Sequence, residues 1–567
     1  MQHLRSELKP VVLAAALFSF LVNLVLLVPP LYMLQIYDRV LTTRHEETLW
    51  VLSFGALAAL GVSSLLDALR VRLLGGSAIV IDRAFGPGLL ARLVSERARG
   101  VRGDLSVGLA DFAAVKGFLT SPNVFLIFDV PWFPLFVALI FLFHPVLGLV
   151  AVVGAVVLVA LAIGNERLSR RAIASVRTQG RVAGRYADAA LRNAEAIAAM
   201  GMQKAVAARW RTLNEKSFEA LGAMSERGGA MTSASRFWRQ ALQVIMLGVG
   251  ALLVIEQQVT SGAMIAATIV LARALAPIEA LVANWRQIVD VWNAQQRLAR
   301  IADLDQEPGA TLDLPTPAGR LVAEGVGLRV AGRDAPLVQN IAFALDPGEQ
   351  LGIVGPSAAG KTTLARLLVG LWKPTVGAMR LDGADVATWP REQLGGFVGY
   401  LPQDVELFSG TVAENIARLG EAEPDKVIRA AQRAGCHDMI LRLPRGYDSE
   451  IGIEAELITP GQRQRIALAR ALYGEPHFVV FDEPNANLDG AGEHGLQQAL
   501  RWLKAHRVTT VLIAHHSALL AAVDKLLVLR DGMIARIGPR EEVMAWLAQT
   551  PRLGRADSRG VGLKDGA

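Results

Sequence analysis

The first half of the chain is dominated by long apolar runs separated by basic stretches, and the second half by short apolar strands alternating with helical segments. A run of ~20 apolar residues is needed to cross a ~30 Å hydrocarbon core. Val11 to Gln35 meets that length, interrupted only by Asn23 and the Pro29-Pro30 pair. Counted this way, the pattern predicts six spans at about 11–35, 50–66, 124–143, 146–164, 241–255 and 264–283. His144-Pro145 divides the third from the fourth as a tight helical hairpin. Arg83 to Arg99 and Arg181 to Lys216 are rich in Ala, Arg, Leu and Glu, so the spans are predicted to continue as helices beyond the bilayer. A Pro/Gly cluster at 305–319 reads as a linker, 320–548 as a separate α/β domain and 549–567 as a polar tail, leaving 1–304 as the membrane domain.

Composition agrees with this division. Hydrophobic residues make up 52 % of the 567 and charged residues 19 %, against ~25 % charged in soluble chains. A disordered, collagen-like or disulfide-stapled chain is excluded. The net charge of +6 would fit a nucleic-acid binder, but its placement argues otherwise. Segment 69–122 carries eight bases (Arg70, Arg72, Arg83, Arg92, Arg97, Arg99, Arg102 and Lys116) against four acids, and segment 165–237 thirteen against six. The opposite loops hold only Arg39 and Arg44. Basic loops stay on the cytoplasmic side, so both termini and the second half are expected in the cytoplasm, with the bilayer rather than nucleic acid as the partner. The first apolar run exceeds the ~7–15-residue core of a cleavable signal and reads as a retained anchor. Cys436, the single cysteine, reads as a small buried hydrophobe.

The chemistry lies in the second half. Gln350–Val354 reads as a buried strand, followed by Gly355-Pro356-Ser357-Ala358-Ala359-Gly360-Lys361-Thr362-Thr363 and a helix. This is G-x-x-x-x-G-K-[ST] in its strand–loop–helix setting. Small residues let successive N–H groups face phosphate oxygens at a helix N-terminus. Lys361 supplies a point charge to the β- and γ-phosphates, and the Thr362 hydroxyl can ligate Mg²⁺. A second apolar strand, 477–481, ends in Asp482-Glu483. Asp482 can hold Mg²⁺ through its shell, and Glu483 can polarise an attacking water.

With these residues in order, the chain resembles the ATP-binding cassette (ABC) family. Gly461-Gln462-Arg463-Gln464-Arg465 resembles the family signature, Ala486-Asn487-Leu488-Asp489 its D-loop, Gln403 its Q-loop and His515 its switch histidine. The resemblance implies ATP and Mg²⁺ as cofactors, with Gln403 beside the metal and His515 contacting the γ-phosphate. It also implies a homodimer, because each ATP then lies between one phosphate loop and the Thr459, Gly461 and Gln462 of the other cassette, near Asp489. Three departures stand out. The usual Leu-Ser-Gly-Gly-Gln core reads Ile458-Thr459-Pro460-Gly461-Gln462, Val330 stands where an adenine-stacking aromatic is usual, and Ile453-Glu454-Ala455 replaces a Gly-rich acidic loop. A proline is tolerated in a helix's first turn.

The membrane half refines the resemblance. Pro30 to Thr48 and Phe128-Asp-Val-Pro-Trp-Phe-Pro134 resemble type I secretion exporters of the protease-and-lipase branch, and the chain begins almost directly with its first span. This implies six transmembrane helices with cytoplasmic extensions fused to an ABC-type P-loop domain in a bacterial inner membrane. The implied partners are a periplasmic adaptor, an outer-membrane channel and a secreted unfolded polypeptide with a C-terminal signal. By the same analogy Phe85–Leu93 and Ala198–Ala207 are the coupling segments. A lipid or small-molecule flippase, or a membrane ATPase acting as sensor or gate, would share every cassette motif. Asp129, a carboxylate inside an apolar stretch, is a functional candidate by default, with structural anchoring favoured over substrate contact. Tyr37, Asp38 and Arg39 are expected to shape the exit or a partner contact.

Overall fold

The computed structural model describes residues 2–100, 106–303, 314–330, 333, 335–452, 458–514 and 517–549. It divides into two compact units, Met1–Val94 with Gly103–Gln306, and Ser95–Arg102 with Glu307–Ala567.

The first unit is helical. It comprises α1 (Gln2–Val25), α2 (Val28–Gln35) with a π turn at Ile36–Val40, α3 (Glu46–Ala98), α4 (Ser106–Leu119), α5 (Leu126–Asp129), α6 (Phe133–Phe143), α7 (Pro145–Arg192), α8 (Gln203–Ile255) and α9 (Ser261–Asp303). The 53 residues of α3 and of α8 each span ~80 Å at 1.5 Å per residue, far beyond a bilayer core. Hydropathy detects only the lipid-matched part of each helix. Among the described residues, five helical stretches are long and apolar enough to cross a membrane: Leu13–Thr43, Glu46–Ala98, Pro122–Phe143, Ser233–Ile255 and Ser261–Trp285. A shorter apolar stretch, Pro145–Leu161, opens α7 where the fourth span is expected.

The packing centre of this unit is an α6–α7–α8–α9 cluster that includes Phe136, Ile140, Leu147, Leu242, Met246 and Leu271. Fully buried Ala266, Ala267, Val270, Leu271 and Ala274 recur at helical spacing along α9, so one stripe of small and branched residues faces the interior. The Trp238 indole donates to the Gly154 carbonyl at 3.1 Å, locking α8 to α7. On the extended helices, Arg297 makes a two-pronged bond to the buried Asp111 at 2.6 and 2.7 Å, joining α9 to α4. The apolar window of α3 is only 6 % buried within the chain, against 22–33 % for the other four candidate spans.

Two structural roles here go beyond the sequence expectations. Asp38 accepts from the Thr260 hydroxyl at 2.7 Å and the Gly262 N–H at 2.9 Å. It therefore caps the start of α9, a structural task that the sequence reading did not include. Arg70, counted among the cytoplasmic bases, is 5 % exposed and paired with Asp129. Phe85–Leu93 lies inside the continuous α3, and Ala198–Ala207 spans the turn into α8, where Gly201 has φ +64°.

The second unit carries two main sheets. Strands β1 (Leu321–Leu328), β2 (Val338–Leu345), β3 (Gln350–Val354), β4 (Val376–Leu381), β5 (Ala384–Asp385), β6 (Val398–Leu401), β7 (Gly410–Thr411), β8 (Glu450–Ile451), β9 (Phe478–Asp482), β10 (Thr509–Ile513), β11 (Lys525–Arg530) and β12 (Met533–Pro539) run in chain order. An antiparallel sheet has the order β2-β1-β4-β5, and a six-stranded sheet the order β12-β11-β3-β10-β9-β6. The latter is parallel from β11 to β6, with β12 an antiparallel edge. β9 and β10 are buried at every position, as expected of strands covered on both faces. The second unit's helices include α10 (Lys361–Leu368), α11 (Arg391–Phe397), α12 (Val412–Ile416), α13 (Pro424–Arg433), α14 (Pro460–Leu472), α15 (Gly490–Ala505) and α16 (Arg540–Gln549).

Of the expected linker, 305–313 lies outside the described residues, while its end is fastened into the second unit. Asp382 accepts from the Gly319 and Arg320 N–H groups at 2.9 and 3.0 Å, and Thr509 donates to the Gly319 carbonyl at 2.6 Å. Residues 550–567 of the expected tail, Ile453-Glu454-Ala455 and His515 are also outside the described residues.

Candidate active site

Parallel sheets place ligands outside the carboxyl ends of their strands, and the predicted residues gather there. The phosphate loop follows β3, Asp482 ends β9, and Gln403 follows β6, the neighbour of β9. Gly355–Gly360 turns the chain from β3 into α10 with Ala358 at φ +65° and Gly360 at φ +101°. A Cβ on Gly360 would stand 2.9 Å from the Leu337 carbonyl oxygen, so both conformation and space require glycine. Lys361 is folded back, its Nζ donating to the Gly355 and Pro356 carbonyls at 2.9 and 3.0 Å. Burial holds its ammonium pKa below the usual lysine value, partly opposed by Glu483 and Asp482. Pro356, Ser357 and Ala358 are exposed at the rim, Ala359 is buried, and Thr362 and Thr363 are half-buried.

Asp482 is fully buried, and neither carboxylate oxygen has a hydrogen-bond partner among the described residues. Burial raises its pKa above the usual aspartate value, with Glu483 pushing the same way and the Thr362 hydroxyl, Arg366 and Lys361 opposing. With neither oxygen in a well-formed hydrogen bond, and burial outweighing the charges of Arg366 and Lys361, this buried carboxylate has room for a further counter-charge. With Thr362 alongside, this donor set fits a hard divalent cation such as Mg²⁺. Glu483 sits at φ +50°, its N–H donating to the Ile513 carbonyl at 3.0 Å. Its Oε2 accepts from Gln403 Nε2 at 2.9 Å, so the two predicted residues are in contact.

The signature residues stand at the start of α14. Thr459 is its N-cap, accepting from the Gln462 N–H at 3.3 Å, while Gln462 Oε1 accepts from the Thr459 N–H at 3.0 Å. This reciprocal pair is a capping box. Pro460 occupies the first helical turn, where no N–H is needed, so that departure is absorbed by the fold. A Cβ on Gly461 would lie 2.8 Å from the Asn487 carbonyl oxygen, so only glycine lets α14 approach the Asn487 loop. Asp489 caps α15 through the Gly492 N–H at 2.8 Å and pairs with Arg465 at 3.2 Å. Gln464, buried on α14, donates to the Pro484 carbonyl at 3.1 Å. Sequence reasoning missed Gln464 and Arg465 as fasteners between the signature helix and the loop after β9, although their helical spacing from Gly461 was a usable signal. Val330 is half-buried at the end of β1's trailing loop.

Behind the site lies a cavity of about 280 Å³ lined by Leu394, Tyr400, Arg391, Arg418 and Arg470. Two of its arginines, Arg418 and Arg391, are answered by helix-end carbonyls. Arg418 donates to the Arg470, Ala471 and Tyr473 carbonyls ending α14 and to Gly395 of α11, and Arg391 donates to Val369 and Gly370 after α10. Cations at helix C-termini meet the negative end of the dipole. Burial, together with the Arg470 charge, lowers the Arg418 pKa.

Comparison with known proteins gives a consistent assignment. Residues 338–486 match the ABC transporter family. The chain is 38 % identical over 542 residues to the type I secretion system ATP-binding protein PrsD of Rhizobium meliloti, covering 95 % of this chain and 93 % of that protein. It is 28 % identical to the cyclolysin secretion/processing ATP-binding protein CyaB of Bordetella pertussis, covering 93 % of this chain and 75 % of that one. The leukotoxin translocation ATP-binding protein LktB of Mannheimia haemolytica is also 28 % identical, over 94 % of this chain and 76 % of that protein. In fold, the chain is similar to a bacterial Atm1-family ABC exporter with ATP bound, with TM-score 0.82 and 23 % identity, covering 97 % and 99 % of the two chains. The chain belongs to the ABC transporter family, among the type I secretion ATP-binding proteins, and is a multi-pass exporter that couples ATP hydrolysis to transport.

Proposed function

We propose that two copies of this chain form the inner-membrane exporter of a type I secretion system and move unfolded polypeptides carrying C-terminal signals out of the cytoplasm. The observation that carries the chemistry is the convergence of Lys361, the unanswered Asp482 carboxylate and the Gln403–Glu483 pair at the carboxyl ends of β3, β6 and β9. The likeness to secretion relatives over nearly the whole chain carries the substrate class. A periplasmic adaptor and an outer-membrane channel complete the assembly in this reading, with both termini and the ATP-binding half cytoplasmic and the domains divided at 1–304, 305–319, 320–548 and 549–567.

The N–H groups of Gly355–Thr363 cradle the phosphates, and Lys361 leaves its two carbonyls to neutralise the β- and γ-oxygens. Thr362, Asp482 and Gln403 would hold Mg²⁺, which when bound neutralises charge on the phosphate oxygens. Glu483 polarises the attacking water, and Gln403, bonded to Glu483 in this conformation, orients it. Thr459, Gly461 and Gln462 at the positive end of α14 face the phosphate loop of a second copy, with Asp489 fixed beside them by Arg465. His515 completes the set as the γ-phosphate contact. The thin cover of α3 by its own chain leaves an apolar face for the bilayer and the second copy.

The test is reconstitution of the full chain in proteoliposomes. ATPase activity that responds to a polypeptide with a secreted C-terminal signal supports the reading. A response to lipid alone overturns the polypeptide assignment, and absence of Mg-dependent hydrolysis sensitive to Glu483→Gln overturns the site.

A further inference from the structure

The carboxylate singled out in the third apolar run sits at a joint. The run is broken into a 3₁₀ turn at Pro122–Phe125, the short α5 and a second 3₁₀ turn at Val130–Trp132, with Asp129 where α5 gives way to that second turn. Irregular backbone at membrane depth persists only where protein or water satisfies it. Asp129 Oδ1 accepts from the Ser19 hydroxyl and from Asn23 Nδ2, the latter at 2.9 Å, and both residues lie buried on α1. Asp129 Oδ2 accepts from Arg70 Nη2 of α3 at 3.2 Å. Arg70 is 5 % exposed and lies over the Phe125 ring with its guanidinium carbon 3.8 Å from the centroid. One bond network therefore joins α1, α3 and the joint of the third run.

Two features distinguish this network from a permanent staple. Arg70 has a second carboxylate within reach on its own helix, Asp67 at 3.5 Å, which is 57 % exposed, while its Nε is buried with no partner among the described residues. Asp129, for its part, would keep Ser19 and Asn23 if Arg70 withdrew. Parting α3 from the α1–joint pair thus leaves Arg70 a counter-charge in Asp67 and leaves Asp129 two hydrogen bonds, where separation of an ordinary buried pair would leave each charge bare. The apolar cover of α3 within the chain is also slight, so few other contacts oppose the movement.

We propose that Arg70–Asp129 is a releasable clasp between α3 and the α1–joint pair, closed in this conformation and opened once per ATP cycle. This rests on the chain being an ATP-driven exporter, but not on which cargo it carries. The test is amide hydrogen exchange on the purified full-length chain in lipid nanodiscs, nucleotide-free and trapped with MgATP and vanadate. Exchange of residues 126–132 is expected to differ at least tenfold between the two states in the wild type. In Asp129→Asn, which retains the Ser19 and Asn23 bonds but loses the charge pair, the same segment is expected to exchange at the open-state rate in both. Phosphate-loop peptides report trapping independently in each sample. Equal exchange of 126–132 in both states of trapped, hydrolysis-competent wild type overturns the clasp. Where Asp129→Asn does not fold, that wild-type comparison decides alone. Because no cargo enters the assay, failure of the polypeptide-export reading leaves its outcome unaffected.

Discussion

Thr459 holds two proposed tasks in one hydroxyl, capping α14 and contacting nucleotide bound by a second copy, and three substitutions separate them. Thr459→Ala removes both. Losing an N-cap costs ~1 kcal/mol, whereas glycine at that position costs only a few tenths. For a domain of 150–250 residues, 1 kcal/mol is worth roughly 2–4 °C in Tm. Thr459→Ala should therefore lower the melting temperature by about that much, while Thr459→Gly stays within about 1 °C. A hydrogen bond to a charged group contributes ~1.5–3 kcal/mol, which is on the order of 10- to 150-fold in a binding or rate constant. If the hydroxyl reaches nucleotide, the Ala and Gly variants should lose ATPase activity alike, about tenfold or more, and Thr459→Ser should keep most of it. Steady-state ATPase assays beside thermal melts of the same preparations decide the matter. Activity of Thr459→Gly within about twofold of wild type, with only Ala impaired, would mean that capping is the whole role.

Other outcomes are equally open to measurement. Glu483→Gln should abolish hydrolysis yet leave ATP binding intact, read by turnover and by equilibrium binding of ATP. Asp482 carries a raised pKa, so just above the ordinary aspartate value the folded state binds more protons than the unfolded one, and stability rises as pH falls. In EDTA the wild-type melting temperature should therefore gain on that of Asp482→Asn as pH falls into that window, and a gain in the opposite direction contradicts the burial argument. Arg418→Met leaves four helix-end carbonyls without their donor and should cost about 2–4 kcal/mol, seen as a melting temperature lower by roughly 4–16 °C. Cys436 is buried with its thiol pushed up to about 12, so maleimide should label it at pH 8 only in denaturant.

The nucleotide site was legible in sequence because its parts are local. The phosphate loop is one contiguous stretch, and the Asp482-Glu483 pair needs only a strand in front of it. The proline at 460 was legible for the same reason, since helix starts obey short-range rules. The membrane half was legible only as hydropathy, which marks where lipid meets the chain and is blind to helices such as α3 that run on through polar residues. The polar partnerships inside it were hidden by distance along the chain. Asp129 meets Ser19 across 110 residues and Arg70 across 59, and Asp38 meets Thr260 across 222. No periodicity encodes such pairings. The burial of Arg70 was hidden because it stands only a few residues past an apolar run whose helix does not end there.

The folded-back ammonium of Lys361 has a consequence for which molecules the exporter answers to. Its charge rests on the Gly355 and Pro356 carbonyls, so the loop's own backbone holds the side chain. A visitor must offer enough negative oxygens to make withdrawal worthwhile before the cradle opens to it. A single small anion can meet that exchange at few oxygens, whereas a polyphosphate tail meets it at several at once. The first cost of filling this loop is therefore internal: two lysine–carbonyl bonds must be exchanged for lysine–phosphate contacts.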